Sequence, residues 1–140
     1  MKLFLFIVPV ITIVMAHSCS KKDIALKEGT IELGVKKCSS GNIGGNDVRL
    51  CFDSVISDSR CPANAMCIWQ GTATARFSLT KNKEKISFVL STLKQAPTYT
   101  KDTTLMGYKI EFVNLTPYPG TVPNPIPVEK IKAELKITKL

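Results

Sequence analysis

Apolar and polar residues alternate with a period of two over much of this chain, the pattern of strands with one buried face. The cleanest run starts at Cys67. Cys67, Trp69, Gly71, Ala73, Ala75, Phe77 and Leu79 fall on one face. Ile68, Gln70, Thr72, Thr74, Arg76, Ser78 and Thr80 fall on the other. The run predicts a strand over 67–80, bent at Gly71, since glycine inside a strand marks a bulge or a close approach. A polar hairpin loop at Lys81-Asn82-Lys83-Glu84 leads to a return strand over 85–90, with Ile86, Phe88 and Leu90 facing inward.

The same period appears on either side. Ile31, Leu33 and Val35 against Thr30, Glu32 and Lys36 predict a strand over 30–37. Residues 39–47 are a Gly/Asn/Ser loop with a turn signal at Gly44-Gly45-Asn46. Val48, Leu50 and Phe52 resume the alternation over 48–55, and 56–66 is a Cys-Pro loop. Residues 93–106 read as a Thr-rich loop with a short edge strand at Thr98–Thr100. Tyr108, Ile110 and Phe112 mark a strand over 108–115. Pro117, Pro119, Pro123, Pro125 and Pro127 then forbid a strand in a sheet interior and make 116–127 an extended, partly polyproline-like loop. At the end a helix would align Val128, Ile131 and Leu135, whereas Ala133 and Ile137 favour a strand over 130–138.

About seven strands separated by turns, and no helical pattern after the leader, predict an all-β antiparallel sandwich, immunoglobulin-like in architecture, over residues 30–140. Its expected core is Leu33, Leu50, Phe52, Trp69, Ala73, Phe77, Phe88, Ile110, Phe112, Leu135 and Ile137.

The first 18 residues stand apart from that domain. Lys2 precedes an apolar run, Leu3 to Met15, too short for a membrane span and suited to a signal peptide. Ala16-His17-Ser18 meets Cys19. Small residues at 16 and 18 fit ordinary secretory cleavage. A cysteine directly after fits a bacterial lipoprotein in which Cys19 is diacylated, although Ala16 stands where Leu is usual. Ser20-Lys21-Lys22-Asp23-Ile24 favours lipidation, and 19–29 is expected to be a lipid-anchored flexible tether. Localisation follows: export through the inner membrane and a lipid anchor in the cell envelope, at the outer membrane.

Charge adds little. The net charge of +8 becomes +7 once Lys2 leaves, and it is mostly scattered Lys. Arg and aromatic residues are not interleaved as in nucleic-acid readers, so a nucleic-acid partner is not expected. Scattered Lys suits a solvated surface that resists edge-to-edge sheet pairing.

Five cysteines leave four if Cys19 is acylated. Four cysteines in a secreted domain read as two disulfides. Of the three connectivities, Cys38–Cys51 and Cys61–Cys67 pair residues that are close in sequence and flank a turn. Spacings of x12, x9 and x5 are not those of zinc sites, and the only His lies in the leader, so no metal or other cofactor is expected.

Trp69 invites a carbohydrate-platform reading, yet its place on the face of Ala73 and Phe77 predicts a core residue packed on the Cys61–Cys67 bridge. Tyr118, between prolines on a loop, is the better exposed aromatic. Asp58 is expected to bond turn amides and to pair with Arg60. Catalysis needs a nucleophile or acid–base set with an orienting partner, and no such pattern is present, so the chain does not read as an enzyme.

Taken together, Asp58-Ser59-Arg60-Cys61-Pro62, Cys67-Ile68-Trp69-Gln70-Gly71 and the later Thr116-Pro117-Tyr118-Pro119 resemble a group of small uncharacterised envelope lipoproteins of the Bacteroidota. That group shares a Cys-Pro-x4-Cys-x-Trp-x-Gly core ahead of further strands and a Pro-Tyr-Pro loop. Gln70 stands where the group usually carries Ala. The resemblance covers about residues 30–140 and implies an envelope location without an activity.

Two functions from different classes follow. One is a non-catalytic binding module whose sandwich-end loops, with Asn64, Met66, Pro117, Tyr118 and Pro119, contact an envelope protein or glycan. The other is a protease inhibitor that presents the disulfide-pinned loop 61–67 to an active-site cleft.

Overall fold

The computed structural model describes residues 25–94 and 99–140. The expected signal peptide, Cys19 and the tether as far as residue 24 lie outside these residues, as does Thr98. Eight strands form β1 (Gly29–Gly34), β2 (Lys37–Ile43), β3 (Asn46–Asp58), β4 (Ala73–Lys81), β5 (Glu84–Ser91), β6 (Asp102–Leu105), β7 (Tyr108–Thr116) and β8 (Lys132–Lys139). A single 3-10 turn, Val128–Lys130, is the one helical element among the described residues. The strands make two four-stranded antiparallel sheets, β1-β8-β7-β6 and β2-β3-β4-β5. All neighbours are consecutive in sequence except β1 and β8. The expected sandwich is therefore built from two meanders that face each other.

The core follows from the pleat. Phe52, Phe77 and Phe88 are cross-strand partners in one row of β3, β4 and β5. Their ring centroids are 5.2 and 5.9 Å apart, and Phe112 of the opposite sheet meets Phe77 edge-on at 5.2 Å. Offset and T-shaped contacts of this kind add stability beyond burial alone. Leu33, Leu50, Phe52, Ala73, Phe77, Ile110, Phe112, Leu135 and Ile137 are all buried as expected, and Phe88 is half-buried against them.

Four boundaries differ from the alternation. The strand expected over 30–37 divides at Val35-Lys36, where Lys36 adopts a positive φ of 60°. Val35 N–H donates to Ile131 in one sheet and Lys36 N–H to Phe52 in the other, so the chain changes sheet within two residues. The expected loop at 39–47 is instead β2 and a tight turn at Gly44-Gly45, both with positive φ. Small polar residues disguised β2, which is held on its edge by the Cys38–Cys51 disulfide between directly opposed residues. A regular edge strand forms at β6, while of the expected Thr98–Thr100 the described part holds a bridge residue at Tyr99 and a Thr100 carbonyl that accepts from Ser91 N–H of β5 at 2.9 Å. The long strand expected over 67–80 starts only at Ala73, because its partner β3 reaches only to Asp58, which faces Ala73.

The packed domain also begins earlier than Thr30. Ala25 bridges Ser40 in parallel, Leu26 N–H donates to Ser40 at 3.0 Å, and Leu26 is 1% exposed. Residues 25–29, expected as the last part of a free tether, lie against the sandwich. Gly41 permits this approach, since a Cβ there would stand 2.0 Å from the Leu26 carbonyl oxygen.

Two ends can be distinguished. The lower end carries the turns after β2, β4 and β6, and here the buried Tyr108 hydroxyl donates to Ile43 across the sheets at 3.0 Å. The chain enters β1 at this end, where Gly29 faces Ile137 and Lys139 N–H donates to Glu28. The upper end carries segments 59–72 and 117–131. Because Phe77 touches aromatic rings of both sheets, Phe77→Ala is expected to lower stability by about 3–5 kcal/mol in urea unfolding, and Phe88→Ala by less.

Candidate functional site

The upper end is built around Arg60, whose side chain is 5% exposed. A buried guanidinium is tolerated only when its donors are satisfied. Asp58, two residues earlier, meets it as a fork, with Nε–Oδ1 at 2.8 Å and Nη2–Oδ2 at 2.7 Å. Asp58 Oδ1 also accepts the Arg60 amide at 3.2 Å, as the expected turn would have it. Nη1 donates to the Leu115 carbonyl of β7, and Nη2 makes a longer bond to Pro117 O at 3.4 Å. The Tyr118 ring centroid lies 4.8 Å from the guanidinium carbon, a cation–π contact. One side chain thus ties the end of β3 to the other sheet and to the Pro-rich loop.

On that base stands a protruding arm, residues 59–72. Ser59 N–H donates to Thr72 O and Cys61 N–H to Gln70 O, each at 2.9 Å, so the β3–β4 pairing continues past the sheet in irregular form. The Ser59 hydroxyl donates to Thr72 O and accepts from Thr72 N–H. Gly71 makes the crossing possible. Its φ is +69°, and a Cβ there would stand 1.8 Å from Ser59 O. The Cys61–Cys67 disulfide closes the tip, and such a closure stabilises a fold by about 2–3 kcal/mol in the chain-entropy picture. On the side of the Pro-rich loop, Ala63 N–H donates to Pro119 O at 2.9 Å. Gly120, φ +80°, packs so closely that a Cβ would stand 2.5 Å from Asn64 Oδ1.

Above this scaffold Met66, Ile68 and Trp69 are 103%, 96% and 77% exposed. Their peptide groups, with that of Cys67, make no hydrogen bond to any described residue. A cleft of about 410 Å³ opens beside the base between Val55, Arg60, Pro62, Pro117, Pro119 and Ile126. The Lys109 ammonium, raised above its ordinary range by the hydrogen bond and charge of Asp102, lies toward the lower end and does not bear on the tip. Among the described residues no group of three His, Cys, Asp or Glu side chains is arranged to hold a metal ion.

The structure places Asn64, Met66, Pro117, Tyr118 and Pro119 together at this end, with different exposures. Met66 is free. Pro117, Tyr118 and Pro119 are half-buried, and they contribute two carbonyl acceptors and a ring to the scaffold. Trp69 overturns its expected place in the core and its expected packing on the Cys61–Cys67 bridge. Alternation assigns a face, but burial needs a layer opposite that face. Beyond Gly71 the arm has left the sandwich. Ile68 carried the missed signal: it is a large apolar residue on the otherwise polar face of the run, with Met66 two residues before it. Nothing matches this chain among protein-family models, curated proteins or solved structures.

Arg60→Ala is expected to cost about 3 kcal/mol, because it strands Asp58 and the Leu115 carbonyl together. Thermal unfolding measures the loss, and limited proteolysis should show new cutting at 116–127. Gly71→Ala should prevent the arm from forming, read as loss of the Cys61–Cys67 bridge in non-reducing peptide maps.

Proposed function

We propose that this chain is a non-catalytic binding module of the cell envelope, anchored through lipid on Cys19 and engaging its partner with the disulfide-pinned tip. The observation that carries this reading is the outward display of Met66, Ile68 and Trp69 on an arm whose base is fully bonded. Fully exposed large apolar side chains gain nothing for the fold, and burying each against a partner is worth about 1.5–3 kcal/mol. Trp is the residue most often found to anchor interfaces. The arm is ordered before binding, which lowers the entropy lost on association.

The polar residues at this end support binding rather than chemistry. Asp58 and Arg60 are committed to each other, Asp58 accepting also from the Arg60 amide and Arg60 donating also to the Leu115 and Pro117 carbonyls. The resemblance to Bacteroidota envelope lipoproteins supports the envelope part of the proposal. A protein of the envelope is the preferred partner class over a glycan, because the tip is dominated by aliphatic and thioether side chains as well as an indole.

Trp69→Ala and Ile68→Asp are expected to leave stability within about 0.5 kcal/mol. Each should weaken capture of the envelope partner by roughly 30-fold or more in pull-down titration. Tyr118→Ala should show the reverse balance, a stability loss of about 1–2 kcal/mol from the broken contact with Arg60. Unfolding on Trp69→Ala would return Trp69 to the core and remove the proposed site. Intact mass of membrane-extracted protein checks the anchor: the mature chain should begin at Cys19 and carry acyl mass.

A further inference from the structure

We propose that the partner of this tip is an endopeptidase with a large apolar primary pocket, which the tip occupies as a reversible, substrate-like inhibitor with Met66 in that pocket. This rests on the binding reading above and adds the class of partner. The first support is shape. Side chains exposed to the extent of Met66 and Ile68 stand on a convex surface, and a flat partner would leave them largely in water. A partner that covers them must be concave.

The second support is the backbone. Met66 and Cys67 lie between the turn at Ala63-Asn64 and the bend at Ile68-Trp69, in neither turn nor bend themselves. The peptide groups of residues 66–69 have no partner among the described residues. Free N–H and C=O groups beside exposed side chains are what a cleft that adds a strand to its own edge captures, with pockets reading individual side chains. Endopeptidases select their substrates by the side chain in the primary pocket. Met is long, unbranched and apolar, which suits a deep apolar pocket.

The third support is the position of the bridge. Cys61 lies before the Met66–Cys67 bond and Cys67 directly after it, so the Cys61–Cys67 disulfide spans that bond. If the protease nucleophile attacks the Met66 carbonyl, an acyl-enzyme forms and the Cys67 amine is the leaving group. The amine does not diffuse away. It is tied to Cys61 by the bridge, and the arm is held at its base by the bonds of Ser59, Cys61 and Ala63. High effective concentration favours its return to the acyl carbonyl, which reforms the peptide bond and frees the nucleophile with no net use of water. Bonds after Ile68 and Trp69 fall outside the ring and lack this restraint.

The test uses the disulfide-intact full chain titrated against chymotrypsin, subtilisin and trypsin. The expected result is stoichiometric inhibition of chymotrypsin or subtilisin, or both, without inhibition of trypsin. Met66→Lys, at a fully exposed position, should move inhibition to trypsin, with changes on the order of 100-fold in each direction. Prolonged incubation should give a stable mixture of intact chain and chain clipped at Met66–Cys67, one water heavier. The paired Cys61→Ser and Cys67→Ser variant should turn from inhibitor into substrate. Rapid and complete cleavage of the wild type would overturn the proposal. So would inhibition unaltered by Met66→Lys, or no inhibition of any of the three enzymes by either form. If inhibition is absent while Ile68→Asp still abolishes capture of an envelope protein, the binding reading stands and the protease partner falls.

Discussion

The buried guanidinium of Arg60 is the constraint on which the upper end depends. A charge removed from water has to be matched where it lies, and its donors fan out to groups far apart in sequence. Asp58 belongs to the last residue of β3, the Leu115 carbonyl to β7 in the other sheet, and Pro117 and Tyr118 to the Pro-rich loop. Satisfying this one side chain therefore brings two sheets and two long segments into register. At the lower end Tyr108 performs a comparable closure, with its hydroxyl bonded to Ile43 across the sheets and Lys81 over its ring at 5.3 Å. Between them the aromatic cluster at Phe77 joins the two layers with contacts that are apolar and less directional. Core burial supplies the larger energy; the polar closures select which loops meet.

That division bears on how the tip is presented. The arm owes its direction to Gly71, which lets the backbone pass against Ser59, and its footing to Gly120, which lets the Pro-rich loop approach Asn64. Pairing of Ser59 with Thr72 and of Cys61 with Gln70 carries the hairpin beyond the sandwich, and the disulfide closes it. Stability is concentrated at the base and little of it resides in Met66, Ile68 and Trp69. Side chains with no part in folding can be changed without loss of the scaffold, and the same freedom lets them serve a partner. Their exposure is a liability for association with other chains, which is one reason such patches are usually functional.

Much of the fold was legible because period-two alternation and burial coincide wherever a second layer lies opposite. Leu50, Phe52, Phe77, Ile110, Phe112, Leu135 and Ile137 obey it, and the two disulfides follow from cysteines that flank turns. The Asp58–Arg60 pair was legible too, since two residues of separation in a turn place a carboxylate within reach of the next guanidinium. β2 was not, because Ser39, Ser40, Gly41 and Asn42 have weak strand character and are held by pairing with β3. Nor was the packing of Leu26, which sits in a short run without strand alternation and whose partner Ser40 lies fourteen residues on.

The sequence by itself determined an antiparallel β domain, its aromatic core and its bridges, because those depend on local period and on spacing along the chain. Tertiary structure alone decided the exposure of Trp69 and Tyr118. Trp69 sits on the apolar face of its run, but that face meets no opposing layer once β3 and β4 part at Asp58 and Ala73. Tyr118 sits on a proline loop that looks free, but the loop folds over a buried cation whose position depends on two strands remote from it. A side chain's face is a local property. Whether anything covers that face depends on where distant segments end, and no periodicity along the chain encodes that.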